Sequence, residues 1–384
     1  MRDLFVSHLV KNHPSLAQEN LSELVSPQLL SPYEIRLPAS VLKEAQSFVE
    51  ATYLLRESAP YQKYLSAEIQ ERGLSDPGNK SICMSYDFHV TSTGGLKLIE
   101  VNTNAAFLAM GYEMYQFRQR PLPVADFDFE EIKRNILLEM SLNGKSSAGS
   151  FSVAIIDEEP TQQRMYIEFL VYKSWFEKWG WPTEIYDYRN VNDRAQFIYN
   201  RLTDFYLSDE SSRNLKDRFL KRDVCLSPNP FEYLLLADKQ RMIDWSLEKF
   251  WQDLPELSHL KSVVQKSLCL TKDLDSYQAE DIWAQRKGLF LKPKRAFGAK
   301  QSYRGASISR KAFDEITGKD FIAQEYIPAP EVTFKTPEGP QTFKYDLRFY
   351  VYQNRIQIAV ARIYQGQVTN LRTPGGGFAP IIFE

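Results

Sequence analysis

The sequence predicts a mixed fold, α/β through its middle and α+β in part. Three observations carry this. Residues 151–188 run strand, helix, strand; 81–102 and 343–363 alternate like antiparallel hairpins; and 39–73 repeats its apolar residues at helical spacing. With 384 residues the chain has room for two or three folding units.

Residues 1–38 hold prolines at 14, 27, 32 and 38 and read as short helices and turns that cover something else. From Ala39 to about Gly73, Val41, Ala45, Phe48 and Tyr53 recur at helical steps up to Pro60, which suggests two helices. Ser81–Val90 and Leu96–Asn102 flank Thr-Ser-Thr-Gly-Gly, the signature of a hairpin with a glycine-relaxed loop. Phe151–Asp157 is a nearly all-apolar strand. It leads past Pro160 into a helix striped by Met165, Phe169, Tyr172 and Phe176 and ended by Gly180, and Thr183–Tyr188 is the next strand. This is a right-handed β-α-β unit with a parallel sheet, which makes 120–237 a small α/β domain. The last stretch reads as a helix from Lys239 to about Trp251, strands at Leu289–Lys292 and Phe321–Tyr326, and a final hairpin at 343–352 and 355–363.

Composition removes several classes of function. Lys and Arg total 47 against 49 Asp and Glu, a net charge of −2, so no basic excess exists to condense on nucleic acid. No run reaches the roughly 18 to 20 apolar residues of a membrane span, and Met1–Leu16 lacks a signal-peptide core, so the chain reads as soluble and cytoplasmic. The cysteines, Cys83, Cys225 and Cys269, are odd in number and widely spaced, and the four histidines form no helical ligand pair; disulfide frameworks and zinc sites are disfavoured.

Four segments carry residues suited to chemistry. Asp87 sits on the first strand of the early hairpin, and Glu100 and Asn102, two apart on the second, share a face; two carboxylates and an amide match the hard oxygen donors that Mg²⁺ takes. An ordinary solvated strand face would look the same. Lys292 ends a strand and opens the basic loop Lys292-Pro-Lys-Arg-Ala-Phe-Gly298-Ala-Lys, closed at Arg304-Gly305. Such a loop can cradle polyphosphate, although it lacks the Walker pattern and also fits a basic surface loop. Gln324, Glu325 and Ile327 pass into a connection stiffened by Pro328 that could read an adenine edge, with Glu331 placed for ribose hydroxyls; a plain linker is the alternative. Arg348, which shares a face with Asp346, and Arg362, followed by Asn370 and Arg372 ahead of Gly375-Gly376-Gly377, suit a transferring phosphoryl group or, equally, exposed ion pairing.

Taken together, these segments resemble the ATP-grasp superfamily of carboxylate-amine ligases, with the order changed. The text Gly-Gly-Leu-Lys-Leu-Ile-Glu-Val-Asn-Thr-Asn resembles the family's closing metal-binding hairpin, yet here it precedes the Lys-Pro loop, the adenine connection and the Asp-x-Arg strand. That order is similar to the circularly permuted group that includes glutathionylspermidine-synthetase-like proteins. The resemblance covers residues 81–107 and 238–384 and implies a circularly permuted ATP-grasp fold with a small Rossmann-like domain before the nucleotide cleft. The implied division is a covering segment 1–38, a metal-binding part 39–119, a substrate domain 120–237 and a nucleotide-binding part 238–384. It further implies ATP and Mg²⁺ (or Mn²⁺) as cofactors. Asp87, Glu100 and Asn102 would hold the metal. Lys292 would meet the α/β phosphates beneath the loop 297–305, which contains Gly298. Gln324, Glu325, Ile327 and Glu331 would hold the nucleoside, and Arg348, Arg362, Asn370 and Arg372 the reacting groups. The first ATP-contacting lysine would be Lys272, with Lys239 and Lys266 as alternatives. The activity implied is amide formation between a small-molecule or peptide carboxylate and an amine, through an acylphosphate that a closing loop shields from water. A phosphotransferase and a non-catalytic nucleotide-binding module are the rival readings. Permutation also requires Ile381–Glu384 to end near the elements that support Asp87.

Overall fold

A computed structural model describes residues 1–146, 149–276, 278–294 and 301–384. The chain lays down its strands in four successive groups. First come β1 (Ile35–Leu37), β2 (Met84–Val90) and β3 (Leu96–Asn102), then β4 (Val153–Asp157), β5 (Thr183–Asp187), β6 (Phe197–Asn200) and β7 (Cys225–Ser227). The third group is β8 (Thr271–Asp273), β9 (Leu289–Pro293), β10 (Tyr303–Arg304) and β11 (Phe321–Glu325); the fourth is β12 (Glu331–Thr336), β13 (Gly339–Tyr352), β14 (Arg355–Tyr364) and β15 (Gly377–Phe383). The first and fourth groups merge into one sheet in the order β1-β15-β14-β13-β2-β3, with β12 also on β13. The second group forms the sheet β5-β4-β6-β7 and the third the sheet β10-β9-β11-β8. The fold is therefore mixed α/β, as expected.

All five residues of β4 are buried, which is why its sequence shows no alternation: a parallel strand covered on both faces is apolar throughout. The expected β-α-β unit is present, but a 3₁₀ turn at Pro160–Gln162 delays the helix to Tyr166–Lys178. Met165 therefore precedes the helix instead of opening its apolar stripe, while Phe169, Tyr172 and Phe176 are buried as expected. Chain order reverses between β4 and β6, so the crevice that such sheets use for ligands lies at the carboxyl ends of those strands.

In the large sheet the early hairpin docks along β13, with Asp87 opposite Arg348 and Phe88 opposite Leu347. The chain's end joins the same sheet: β15 runs antiparallel to β14 and parallel to β1, Glu384 N–H donates to Leu37 O at 2.9 Å, and Ala39 N–H to Glu384 O at 2.8 Å. Helix Ala39–Glu57 seals one face through Val41, Ala45, Phe48 and Val49, and the Phe48 ring meets Phe88 edge-on at 5.6 Å. Each fully buried Val or Phe side chain among them contributes about 1.5–3 kcal/mol.

Local sequence misjudged three stretches. Residues 39–71 form three helices instead of two, because Ser58 accepts from Tyr61 N–H and restarts the chain as Ala59–Tyr64 before Ser66–Glu71. The helix expected at 239–251 is broken at Leu247, whose extended backbone leaves Trp245 O free to accept from Trp251 Nε1 at 3.0 Å. The covering segment 1–38 begins with helix Arg2–Asn12 and also supplies a strand, β1, to the large sheet.

The sheet of β8–β11 has its own core, in which Leu274, Ile282, Leu291, Phe313, Ile316 and Phe321 pack beneath helices Ala279–Gln285 and Arg310–Ile316. Gly305 closes this lobe. A Cβ there would lie 1.9 Å from Arg286 O, so only glycine permits its N–H to reach Leu289 O at 2.9 Å. Gly298 and the remainder of 295–300 lie outside the described residues.

Candidate functional site

A cavity of about 450 Å³ lies between the large sheet and the small lobe. Its floor is built by register. Glu100 on β3 faces Asp87 on β2, Asp87 faces Arg348 on β13, and Asp346 on β13 faces Arg362 on β14, so five charged groups share one face. Asp87 is 1% exposed; Arg348 Nε and Nη2 fork onto its two oxygens at 2.8 and 2.6 Å, and Arg362 Nη2 reaches Oδ2 at 2.8 Å. Burial alone would raise the Asp87 pKa, but the two guanidiniums outweigh it and hold the carboxyl down to about 2. Burial opposes the charge on Arg348 and Arg362 as well, and their carboxylate partners more than restore it, raising both. Asp346 accepts from Arg362 Nε at 2.6 Å and from the Thr369 hydroxyl, which ties the loop after β14 to the floor.

The small lobe supplies the roof. Lys292 on β9 is 8% exposed, and its Nζ donates to Gln324 Oε1 at 2.9 Å and to Ile99 O, beside Glu100, at 3.2 Å. Burial lowers its pKa, partly offset by Glu100. Ile327 O accepts from His89 Nδ1 at 2.9 Å, which fixes the connection after β11 to the large sheet; burial pushes the His89 imidazole down. The third wall comes from Arg164 and Met165, at the carboxyl end of the parallel sheet, and from residues 367–371.

Of the expected residues, Asp87, Glu100, Asn102, Lys292, Gln324, Glu325, Ile327, Arg348, Arg362 and Asn370 all line this one cavity. Lys272, Glu331 and Arg372 do not. Lys272 sits on the edge strand β8 opposite Ala323, and the lining lysine upstream of Lys292 is Lys239. Glu331 opens β12 as an exposed residue paired with Lys344, and Arg372 is exposed just past the lining loop. Asn370 lines the cavity, but its amide serves the loop, donating to Gln365 O at 2.8 Å and accepting from Arg372 N–H at 3.0 Å. His89 and Arg164 line the site and lie outside the residues that the sequence points to, while Lys239 enters that set only as an alternative to Lys272. His89 was findable, since it lies two residues beyond Asp87 on the same strand face. Arg164 carries no local signal; only the packing of the parallel sheet brings it here.

For a divalent cation, the donors present fit in kind. Glu100 and Asn102 offer hard oxygens to the cavity, and the Glu100 carboxylate is met only by Asn102 Nδ2, at 3.4 Å, among the described residues. Asp87 is committed to its arginines, and among the described residues no three His, Cys, Asp or Glu side chains cluster at metal-binding spacing. The three cysteines are free and buried, and among the described residues no helix is long and apolar enough to cross a membrane.

No known protein family matches the chain, and no curated protein matches it. Among solved structures it is similar to a protein from Methylobacillus flagellatus KT provisionally named gamma-glutamylcysteine synthetase, with a TM-score of 0.46 and 9% identity over 84% of this chain and 83% of that one. A likeness that loose transfers no function.

Proposed function

We propose that this chain is an ATP-dependent ligase that joins a carboxylate to an amine through an acylphosphate, releasing ADP and phosphate. The observation that carries the reading is the convergence of a buried cation, Lys292, with Glu100, Asn102, Arg348 and Arg362 in one cavity, although the hairpin and β13 are 261 residues apart at Asp87 and Arg348. A surface of unrelated charges would not assemble that set from three separate stretches of chain. The reading takes the protein as a circularly permuted ATP-grasp fold, divided at 1–38, 39–119, 120–237 and 238–384.

In this reading the connection Gln324–Ile327 holds the adenine edge, and Lys292 exchanges its contact with Ile99 O for phosphate oxygens. Glu100 and Asn102 would hold Mg²⁺ (or Mn²⁺), which would neutralise negative charge on the nucleotide's phosphates. The substrate carboxylate oxygen attacks the γ-phosphorus, the bond to ADP breaks, and the amine nitrogen then displaces phosphate from the acyl carbon. Arg362 and Arg348 meet the charge that moves during transfer, and Asp87 and Asp346 fix both guanidiniums in place beforehand. Nothing covalent is asked of the protein; positioning and charge supply the rate.

The test is ADP release with ATP, Mg²⁺, a panel of acids, and hydroxylamine as a generic amine that traps acylphosphate as hydroxamate. Hydroxamate formed by the wild type and abolished by Lys292→Ala supports the reading. A stable phosphorylated product made without amine would convert it to phosphotransfer. ATP binding without turnover on any acid would leave a nucleotide-binding module.

A further inference from the structure

The cavity has a positive rim that phosphoryl transfer leaves unused. Arg164 Nη2 donates to Leu371 O at 2.6 Å, which sets that guanidinium beside the next residue of the loop, Arg372. Both side chains are exposed; Arg164 lines the cavity, and Arg372 directly follows its last lining loop residue, Leu371. Arg348 and Arg362 on the floor each have a carboxylate. Among the described residues, neither Arg164 nor Arg372 has one within 4.0 Å. Partial burial and then the nearness of Arg372 both lower the Arg164 pKa, which places the two like charges close together. Arg164 comes from the segment that leaves the carboxyl end of β4, where an open α/β sheet places its ligand, and not from the lobe that carries Lys292.

We infer that Arg164 and Arg372 hold a second carboxylate of the acid substrate, one that does not react, so that the substrate is a dicarboxylate or an acidic amino acid or peptide. This rests on the ligase reading for what happens to the other carboxylate. That group belongs where the phosphoryl arrives, beside Glu100 and Arg362; the second reaches the rim, where planar guanidinium forks suit carboxylate oxygens.

Thermal melts with succinate or glutamate, against the matched monocarboxylates butyrate and 2-aminopentanoate, test the site without requiring turnover. The wild type is stabilised by the dicarboxylates and not by their partners. Arg164→Ala loses that shift and keeps the shift produced by ATP with Mg²⁺. Because Arg164→Ala also frees Leu371 O, Arg372→Ala serves as the second variant and weakens dicarboxylate binding with the loop bond intact. In the hydroxamate assay, the preference in kcat/KM for dicarboxylate over monocarboxylate falls by about tenfold to a hundredfold in Arg164→Ala. No dicarboxylate shift in the wild type overturns the inference, as does an Arg164→Ala variant that loses the ATP shift and keeps the dicarboxylate one. Dicarboxylate binding lost in both variants, with no ADP release from any acid, keeps this site and removes the ligase reading; turnover of monocarboxylates with no dicarboxylate preference does the reverse.

Discussion

Asp87 shows how one side chain is held by its surroundings. It is buried, it serves two arginines, and its substitution by Asn leaves Arg348 and Arg362 with half their countercharge. Removing one partner of such a buried network costs about 3–5 kcal/mol, so Asp87→Asn should lower the urea midpoint at pH 7 without changing the slope. The pH dependence follows from the sign of the shift. A carboxyl depressed from 3.8 to about 2 contributes stability above its ordinary pKa and loses it as pH falls through the folded value, here between about pH 4 and 2. Glu113 acts in the same window: burial would raise it, but His13 and His8 from the amino-terminal segment lower it from 4.5 to about 2. Asp157, at the end of β4, behaves oppositely. Burial raises it from 3.8 to about 6, so its contribution is present below pH 4 and lost as pH rises through 6. Asp157→Asn should therefore stabilise the protein at pH 7.5 by on the order of 2 kcal/mol and leave it unchanged at pH 4, which melts at the two pH values will check.

At the level of elements, what local sequence could reveal depended on whether the deciding partner lay nearby. The β2–β3 hairpin, β4 with its helix, and β13–β14 were all visible because alternation, apolar runs and turn glycines act over fewer than about 20 residues. The site was visible for the same reason wherever a strand presented two useful side chains at a spacing of two, as with Glu100 and Asn102. β1 was invisible because its partner is β15, at the other end of the chain; the break at Leu247 was missed although the Trp251 indole that meets Trp245 O is only six residues on, because no proline or glycine marks it. The sequence favours Lys272 over Lys239, whereas it is Lys239, just ahead of helix Gln240–Ser246, that lines the cavity and Lys272 that sits on the edge strand β8, a difference set by packing. Gly377 is a testable case of a long-range demand on a single residue. It begins β15 with φ +118°, and a Cβ there would lie 2.5 Å from Gln28 O. Gly377→Ala should cost about 1–3 kcal/mol and open residues 19–31 to protease, as limited proteolysis followed by mass spectrometry will show.

Across the whole molecule, the large sheet and the small lobe, two of the bodies that wall the cavity, are of unequal strength. The large sheet draws on four separated stretches of chain and packs helix Ala39–Glu57 on one face, whereas the small lobe rests on its own smaller core. The lobe meets the large sheet through few polar contacts, among them Lys292 and Gln324 on Ile99 O and His89 on Ile327 O. Hydrogen exchange should therefore be faster in 271–293 and 310–325 than in β13 and β14, and ATP with Mg²⁺ should slow it in 289–293 and 321–327. Equal protection of both bodies without nucleotide would contradict this division.

The pairing of β2 with β13 also bears on how the protein is made. A ribosome finishes Asp87 while the arginine that pairs with it is still 261 codons away. At about 5–20 residues per second, roughly 13 to 50 s separate the two. Through that interval β2 waits without the strand that covers its outer edge, and its carboxylate has no counterion from β13. Slowing translation would lengthen the time for which that edge of β2 stands without its partner strand.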